Sequence, residues 1–362
     1  MEAEMKKWLL SLCAVGIVFL SQAGVQILAE PAHLILADDA PHGTIVFRAE
    51  INGKPMRRTD LDFHAIGETA FRKSQQRSDL EGKAVFQFPA AAAAPKSVIV
   101  AIPGLAALET CVEVIPAAEW NRNAAVAKTI NLKQNLRILF IGDSLSDFSR
   151  GRNYADKLQF WLSLNNPGKV SFRNAAVGGD YILRVRERLN GTVGGEAAYR
   201  QEMYDELEQE KPDLVFIFLG HNDTRATSET NFAAPLVTPE AQEKAYREVI
   251  QFIRHKIGGK IVLVSASSSD FAICREATKK RAQAAPGKVQ VLFGTPELME
   301  GFNDVLKRLA AEYGLDYVDV YRPTADKASL FFPADGVHLT EKGHRFIAAE
   351  LLNYFAEQPP YR

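Results

Sequence analysis

The chain has 362 residues, of which 47% are hydrophobic and 24% are charged, and its formal net charge is -1 at pH 7. This composition is typical of a soluble globular protein with enough apolar side chains for a large core. The basic residues are spread along the sequence and form no run interleaved with aromatic residues. Nucleic acid is therefore excluded as a partner.

The first 23 residues have the order of a secretory signal peptide. Lys6 and Lys7 precede an apolar run from Trp8 to Leu20, and the small-residue stretch Ser21-Gln22-Ala23 follows it. A retained membrane anchor is the alternative, but the run is shorter than the ~20 residues that span a bilayer. We expect cleavage near Ala23, a secreted or periplasmic protein, and no stable membrane insertion after cleavage.

Two cysteines follow the signal segment, and no cluster of Cys or His has the spacing of a zinc site. Cys111 and Cys274 fall in regions of different character. We therefore expect two free, buried thiols rather than a disulfide. Because no ligand set in the sequence demands a metal, we expect neither a metal nor a cofactor.

Residues 30–132 are predicted to form a small immunoglobulin-like β-sandwich, an accessory domain. Short segments rich in β-branched and aromatic residues begin at Thr44, Lys83, Ser97 and Thr110. Turn signals such as Asn52-Gly53 separate them. About one hundred residues of this kind suit two packed antiparallel sheets.

From residue 133 to residue 362, apolar runs alternate with amphipathic segments of helical period, which predicts a parallel sheet covered by helices on both faces. The predicted strands are Arg137–Ile141, Val170–Arg173, Leu214–Leu219, Ile261–Ser265 and Tyr317–Val320. The predicted helices are Tyr154–Leu164, Tyr181–Leu189, Ala198–Glu210, Glu240–Ile257, Pro296–Tyr313 and Thr340–Phe355. The segment Val289–Phe293 is either a further strand or a packed loop.

Three short motifs lie where a ligand site is expected in such a fold, outside the carboxyl ends of strands. Gly142-Asp143-Ser144-Leu145-Ser146 follows the first strand, and Gly220-His221-Asn222-Asp223 follows the third. Asp335-Gly336-Val337-His338 precedes the last helix, where a tight turn can bring carboxylate and imidazole together. Alone, each motif is more often a turn, a helix cap or part of a polar surface. In this order they indicate one site.

The residue types suit a serine hydrolase. The Ser144 hydroxyl is a weak nucleophile that needs His338 to take its proton, and Asp335 can hold the imidazole in the required tautomer. Donors that fit the oxyanion are the Ser144 amide, a glycine amide from the segment Asn174–Asp180 and the Asn222 side chain.

These segments resemble the ordered sequence blocks of the SGNH hydrolases, also called the GDSL esterase and lipase family, over roughly Leu136 to Phe355. The resemblance implies a flavodoxin-like, three-layer α/β/α sandwich around a central parallel sheet. It also implies that Ser144, Asp335 and His338 form the catalytic triad.

For the oxyanion hole, the resemblance implies that Gly179 joins Ser144 and Asn222. Gly179 is preferred over Gly178 because the family's spacing from asparagine to glycine aligns better there. Asp143 is expected to organise its turn by accepting hydrogen bonds from backbone amides.

The Gly-His-Asn-Asp form of the third block and the predicted export resemble the branch of the family that removes acetyl groups from polysaccharides. Candidate substrate-binding residues are Asp143, His221 and Arg225. The rim segments 224–239 and 265–288 are mostly polar, and arginines such as Arg150 and Arg225 suit an anionic or hydroxyl-rich ligand. We therefore expect a carbohydrate acetylesterase whose partner is a small-molecule or polysaccharide ester.

Other functions stay open. A lysophospholipase, an arylesterase or a thioesterase can have the same fold, and acyl transfer to a sugar would use the same residues. A binding module that reuses the fold is a further alternative. A two-metal phosphoesterase fits poorly, because that class resembles a Gly-Asn-His-Asp order with an upstream Asp-x-His, whereas this chain has Gly-His-Asn-Asp.

Overall fold

The computed structural model describes residues 24–67, 71–89 and 91–358. The predicted signal segment, residues 1–23, lies outside these described residues. Within the described ranges, no helix combines the length and the apolar character needed to cross a membrane.

An all-β region of two packed sheets precedes the α/β region, as predicted. Its strands are β1 Val25–Glu30, β2 His33–Ala37, β3 His42–Ile51, β4 Lys54–Pro55, β5 Asp60–Ile66, β6 Phe71–Arg77, β7 Lys83–Pro89, β8 Ser97–Ile102 and β9 Ala106–Ile115. One sheet joins β1, β4 and β7 to β3, and the other has the order β2-β9-β8-β5-β6. The prediction of purely antiparallel sheets is wrong at one pair, because β2 and β9 run parallel. Side chains alternate between buried and accessible along β3 and β5. Phe47 and Phe63 meet edge to face between the sheets, with ring centroids 5.5 Å apart.

The α/β region is built on five parallel strands, and this confirms the predicted fold class. Its strands are β10 Leu136–Gly142, β11 Val170–Asn174, β12 Leu214–Phe218, β14 Lys260–Val264 and β16 Asp316–Val318; β13 Ala226–Thr227 and β15 Val291–Leu292 form a separate antiparallel pair. The order in the parallel sheet is β11-β10-β12-β14-β16. This is the flavodoxin-like order, in which the direction of winding reverses between β10 and β12.

Helices cover both faces of the parallel sheet. The α-helices are Ala117–Thr129, Ser144–Asp147, Tyr154–Leu164, Ile182–Leu189, Leu207–Glu210, Pro239–Phe252, Phe271–Ala284, Pro296–Tyr313, Tyr321–Thr324 and Glu341–Glu357, with a π-helical turn at Ile253–Ile257. Short 3₁₀ turns occupy Ala91–Ala93, Gly195–Ala198, Gln201–Tyr204, Ser228–Thr230 and Ala328–Leu330. Along β10, Phe140 and Leu139 belong to different buried clusters. Alternate side chains therefore anchor the two helical layers, as the pleat requires.

Three sequence predictions of secondary structure need correction. The continuous helix predicted at Ala198–Glu210 is wrong, because Arg200 and Glu206 adopt left-handed backbone conformations that interrupt it. Two helices are not predicted from the sequence: Ala117–Thr129, inside the segment predicted as sandwich, and Phe271–Ala284, inside a predicted rim segment. Each of these two helices buries few side chains, so its apolar stripe is narrow.

The sandwich and the α/β region share a buried ion network. Lys157 of the α/β region is fully buried, and its ammonium contacts Glu113 of β9 as well as Glu341, the latter over 3.0 Å. Arg345 donates to Glu113 over 2.7 Å. Burial opposes the charge on Glu113, but its contacts with His33, Lys157 and Arg345 outweigh burial and lower its pKa to about 2. Charged side chains of both regions therefore meet in one network, in which the removal of a single partner would leave a buried charge uncompensated.

Both cysteines are free thiols in the structure. Burial raises the pKa of Cys111 and of Cys274 to about 12. Neither thiol is ionised near neutral pH, so neither is a candidate nucleophile.

Candidate active site

Ser144 is the first residue of a short helix that starts directly after β10. Asp143 caps this helix, because its Oδ1 accepts a hydrogen bond of 2.9 Å from the Leu145 amide. Gly142 permits the sharp turn, since a β-carbon there would lie 2.4 Å from the hydroxyl oxygen of Ser146. Burial raises the pKa of Asp143 to about 7. Ser144 is thus presented, partly accessible, at the carboxyl edge of the sheet.

Three side chains from distant parts of the chain form a continuous hydrogen-bonded row. The Nε2 atom of His338 lies 3.0 Å from the hydroxyl oxygen of Ser144. The Nδ1 atom of the same ring lies 2.9 Å from Oδ2 of Asp335. With Nδ1 protonated and bound to the carboxylate, Nε2 is free to accept the serine proton.

The carboxylate of Asp335 is held by its own loop. Its Oδ1 accepts hydrogen bonds from the backbone amides of Val337 and His338 over 2.8 and 2.9 Å. Burial opposes ionisation of Asp335, but the hydrogen bonds from the His338 ring and the two amides outweigh it and lower its pKa to about 2. Asp335 is therefore an anion throughout the neutral range.

Phe148 packs against the imidazole of His338, with ring centroids 5.2 Å apart and an interplanar angle of 21°. The Phe148 ring is 52% exposed, and the His338 side chain is 36% exposed. The loop that carries Phe148 contacts the sandwich, because His33 Nδ1 lies 2.9 Å from the carbonyl oxygen of Gly151. The site is thus open to solvent on the side of the imidazole.

The two glycines considered for the oxyanion hole have different environments. The Gly178 amide donates to Oδ2 of Asp147 over 2.8 Å. Gly179 has a φ of 84°, which favours glycine, and its amide donates to none of the residues that the structure describes. The geometry therefore favours Gly179 as the donor.

Two arginines support the carboxylate of Asp147. Arg150 donates to it from Nε over 2.9 Å, and Arg200 donates to it from Nη1 over 2.6 Å. Arg150 also donates to the carbonyl oxygens of Asn174 and Ala176 over 2.9 and 2.8 Å. Arg150 therefore fixes the glycine segment instead of facing a ligand. Sequence reasoning missed Arg200, because it is 53 residues from its partner in the chain.

Asn222 and His221 follow β12, next to β10 at the point where the winding reverses. Asn222 uses one amide hydrogen to donate to the carbonyl oxygen of Asp180 over 3.1 Å. An amide nitrogen carries two hydrogens, so a second donor remains for an oxyanion. His221 contacts the hydroxyl of Ser267 over 3.0 Å, and burial lowers its pKa to about 3. His221 is therefore a neutral, buried ring.

The remaining predicted site residues either lie buried, where they can support the site, or are accessible to solvent. Oδ1 of Asp223 accepts a hydrogen bond of 2.8 Å from the Ile182 amide, and burial raises the Asp223 pKa to about 7. Asp143 and His221 are almost fully buried, which favours supporting roles over direct contact with a substrate. Arg225 is partly accessible and lies 5.9 Å from the ring centroid of Tyr181.

This arrangement contains the parts needed for acyl transfer. A hydroxyl, a base and an ionised orienting carboxylate lie in one row. The Gly179 amide and the Asn222 side chain each keep a hydrogen-bond donor that no described residue takes up. Among residues 24–67, 71–89 and 91–358, no three His, Cys, Asp or Glu side chains are grouped so that they could hold a metal ion.

Known proteins resemble this chain in sequence and in structure. A GDSL esterase/lipase of Arabidopsis thaliana, CPRD49, is 23% identical over 183 residues, which cover 49% of this chain and 69% of the relative. The crystal structure of an alpha/beta hydrolase enzyme from the metagenome of Lake Arreo, Spain, is 22% identical, with a TM-score of 0.42 and coverage of 61% of this chain and 94% of that chain. A structure of an acetyl xylan esterase from Geobacillus stearothermophilus is 18% identical, with a TM-score of 0.42 and coverage of 62% and 95%.

The model of the GDSL-like Lipase/Acylhydrolase family matches residues 140–346, which is more than half of the chain. The matched range begins in β10 and ends in the last helix, so it includes Ser144, Asn222 and His338. The chain therefore belongs to the GDSL-like lipase/acylhydrolase family, and it is an esterase.

Proposed function

We propose that this esterase removes O-acetyl groups from carbohydrate through an acyl-enzyme on Ser144. The observation that carries the proposal is the contact of 3.0 Å between the Ser144 hydroxyl and Nε2 of His338, with Asp335 on the opposite ring nitrogen. His338 takes the proton as the serine oxygen attacks the acetyl carbonyl carbon. The imidazolium then gives that proton to the sugar oxygen that leaves.

The negative charge that develops on the acetyl oxygen requires donors that are already in place. The Ser144 amide, the Gly179 amide and the second hydrogen of the Asn222 side chain can supply them. In the second half of the reaction, His338 activates a water molecule that releases acetate and restores the serine. If a sugar hydroxyl took the place of this water, the same residues would catalyse acetyl transfer.

The open side of the site supports a carbohydrate as the alcohol. Phe148 and Phe332 are about half exposed, and both lie beside the catalytic loop: Phe148 stacks on His338, and the Phe332 amide donates to the His338 carbonyl oxygen over 2.6 Å. An exposed aromatic ring can pack against the apolar face of a sugar. Rim residues 228–231 and 238–240 are exposed and mostly polar, whereas the exposed residues between them, Ala233, Ala234 and Leu236, are apolar. The polar ranges suit a hydroxyl-rich chain.

Export is part of the proposal, and the sequence of residues 1–23 supports it. An acetylated polysaccharide lies outside the cytoplasm in many settings, so an exported enzyme would meet such a substrate. N-terminal sequencing of protein recovered from the medium or periplasm tests this part. We expect the mature chain to begin just after Ala23, and a chain that keeps Lys6 and Lys7 would contradict export by cleavage.

The first experiment compares rates on the p-nitrophenyl esters of acetate, butyrate and octanoate. We expect the wild type to prefer acetate and Ser144→Ala to lose turnover. Ser171→Ala, which changes an exposed serine at the edge strand β11, is the matched control and should retain the wild-type rate. Release of acetate from acetylated xylan and pectin then tests the carbohydrate.

Each alternative outcome has a clear meaning. A preference for octanoate would reassign the enzyme to lipid or thioester substrates, and turnover that persists in Ser144→Ala would remove the nucleophile assignment. Acetyl transfer to an added sugar in excess of hydrolysis would favour the transferase. A metal chelator should leave the rate unchanged, because each step is assigned to side chains and amides of the chain.

A further inference from the structure

Two arginine side chains flank the ring of Tyr181, next to the expected oxyanion donors. The guanidinium carbon of Arg184 lies 4.9 Å from the ring centroid, and that of Arg225 lies 5.9 Å from it. Arg184 also donates from Nη1 to the carbonyl oxygen of Gly179 over 3.3 Å. Arg225 follows Asn222 by three positions in the chain. Two positive charges are therefore anchored to the segments that carry these donors.

The charge of Arg184 is only loosely compensated within the protein. Oδ1 of Asp180 lies 3.9 Å from Nη1 of Arg184, which is too far for a hydrogen bond. Asp180 instead accepts hydrogen bonds from Nε and Nη2 of Arg188, over 2.7 and 3.0 Å. The Nε atom of Arg184 is buried and has no hydrogen-bond partner among the described residues. Since a guanidinium has five N–H donors, Arg184 retains donors for a ligand.

The positive charge of Arg225 is compensated even less within the protein. Its guanidinium forms neither an ion pair nor a hydrogen bond with any residue in the described ranges, and its contact is with the Tyr181 ring. Partial burial, together with repulsion from Arg184, lowers its pKa against the attraction of Tyr181 and Asp223. A partly dehydrated cation beside a second cation is unfavourable, and an anion bound between them would stabilise both.

We propose that Arg184 and Arg225 form a subsite for a carboxylate carried by the substrate, such as that of a uronic acid in the acetylated chain. Two guanidinium groups can hold a carboxylate through charge-assisted, bidentate hydrogen bonds. Both guanidinium groups also contact the Tyr181 ring, which restrains their positions. This inference rests on the proposed deacetylation of carbohydrate and adds that acidic chains are preferred to neutral ones.

The test uses a matched pair of substrates: an O-acetylated methyl glucuronoside and the corresponding O-acetylated methyl glucoside, which lacks the carboxylate. The kcat/KM for acetate release is measured for both at about 0.01 M salt, where charges are least screened. We expect the wild type to prefer the glucuronoside by about tenfold or more, the range for a hydrogen bond to a charged group. Raising the salt to about 1 M should reduce this preference in the wild type itself.

Variants then show which residues cause the preference for the glucuronoside. Arg184→Gln and Arg225→Gln should each bring the ratio of the two kcat/KM values toward one. Arg225→Lys keeps the charge but loses the fork, so it should give an intermediate ratio. Arg122→Gln removes an exposed arginine from the helix Ala117–Thr129 and should keep the wild-type ratio.

The outcomes separate this inference from the proposed function. If the wild type releases acetate from both sugars with equal kcat/KM, the subsite is refuted and the deacetylation stands. A preference that persists in the Arg184→Gln, Arg225→Gln double variant, or that is insensitive to salt, also refutes the subsite. If neither sugar is deacetylated although p-nitrophenyl acetate is hydrolysed in a Ser144-dependent way, the carbohydrate assignment fails first.

Discussion

The carboxylate of Asp147 accepts a hydrogen bond of 2.8 Å from the amide of Gly178, the residue before the expected oxyanion donor. This contact fixes the peptide between Val177 and Gly178, and so restrains the position of the Gly179 amide that follows it. Asp147 is itself held by Arg150 and Arg200. It acts through the glycine segment and is therefore a positioning residue.

We expect Asp147→Asn to lower kcat by about 10-fold to 100-fold, less than the ~10²–10³ lost when an oxyanion donor is removed outright. KM for p-nitrophenyl acetate should change little. The affinity for a phosphonate transition-state analogue should fall in parallel with kcat, a result that general loosening of the fold would not produce. Asp62→Asn, which breaks an ion pair with Lys73 in the sandwich, is the control. An unchanged analogue affinity would contradict the positioning role.

Replacing Asn222 should impair turnover far more than binding. Asn222→Ala removes an oxyanion donor, which corresponds to about 2.7–4 kcal/mol of transition-state stabilisation. Steady-state kinetics on p-nitrophenyl acetate provide the measurement. Asn190→Ala, which removes an exposed amide bound to the Arg186 carbonyl oxygen, should show wild-type kinetics. A rise in KM with an unchanged kcat would instead place Asn222 in ground-state binding.

Asp335→Asn should reduce kcat by ~10⁴ while the fold is kept. An asparagine can still accept from the Val337 and His338 amides, but its NH₂ group would face Nδ1 of His338 and impose the wrong tautomer. Because the pKa of Asp335 is lowered to about 2, its anionic form is present above that pH and is lost only as the pH falls through it. The wild type therefore keeps this anion from about pH 4 to pH 9, whereas the asparagine of the variant does not titrate, so the rate of the variant should stay low over the whole range. Recovery at high pH would contradict the tautomer explanation.

A buried histidine should make stability sensitive to mild acid. Burial, with a smaller contribution from Lys157, lowers the pKa of His344 to about 3 from an unfolded value of 6.5. The neutral ring therefore favours the folded state above pH 6.5, and this contribution is lost as the pH falls toward 3. Between pH 7.5 and pH 5 the wild type should lose about 2 kcal/mol more unfolding free energy than His344→Gln. Urea unfolding at both pH values measures the difference, and equal losses would contradict it.

The ion network between the sandwich and the α/β region should be needed for stability, because it compensates the buried ammonium of Lys157. Glu113→Ala leaves a fully buried ammonium with one partly exposed partner, Glu341. We expect this change to destabilise the protein by about 3–5 kcal/mol, measured by urea unfolding. The double variant Glu113→Ala, Lys157→Met should recover much of the loss, because it removes the charge together with its partner. A double variant that is as unstable as the single one would argue against a charge effect.

Local signals explain which elements could be predicted from the sequence. The predicted bounds of Tyr154–Leu164 are those of the structure, and there Asn153 and Asp156 form a capping box. Pro296–Tyr313 also matches, with Pro296 at its start and Gly314 after its end. The fold class followed from such elements because strands and helices alternate regularly.

Contacts between distant residues explain what could not be predicted. The segment 198–210 has helical periodicity, but Arg200 leaves the helical conformation and reaches Asp147. At the site, the motifs indicated the row of Ser144, His338 and Asp335, whereas nothing local shows that Arg150 turns inward to carbonyl oxygens. A motif therefore does not predict the role of a residue when that role depends on contacts with distant parts of the chain.

The contacts of Phe148 and Gly151 connect the sandwich to the imidazole through one short loop. His33 of β2 holds the loop at Gly151, and three residues earlier the same loop places Phe148 on His338. A disturbance of β2 can therefore reach the catalytic base without passing through the parallel sheet. The orientation of the catalytic base thus depends on the sandwich as well as on the α/β region that carries the triad.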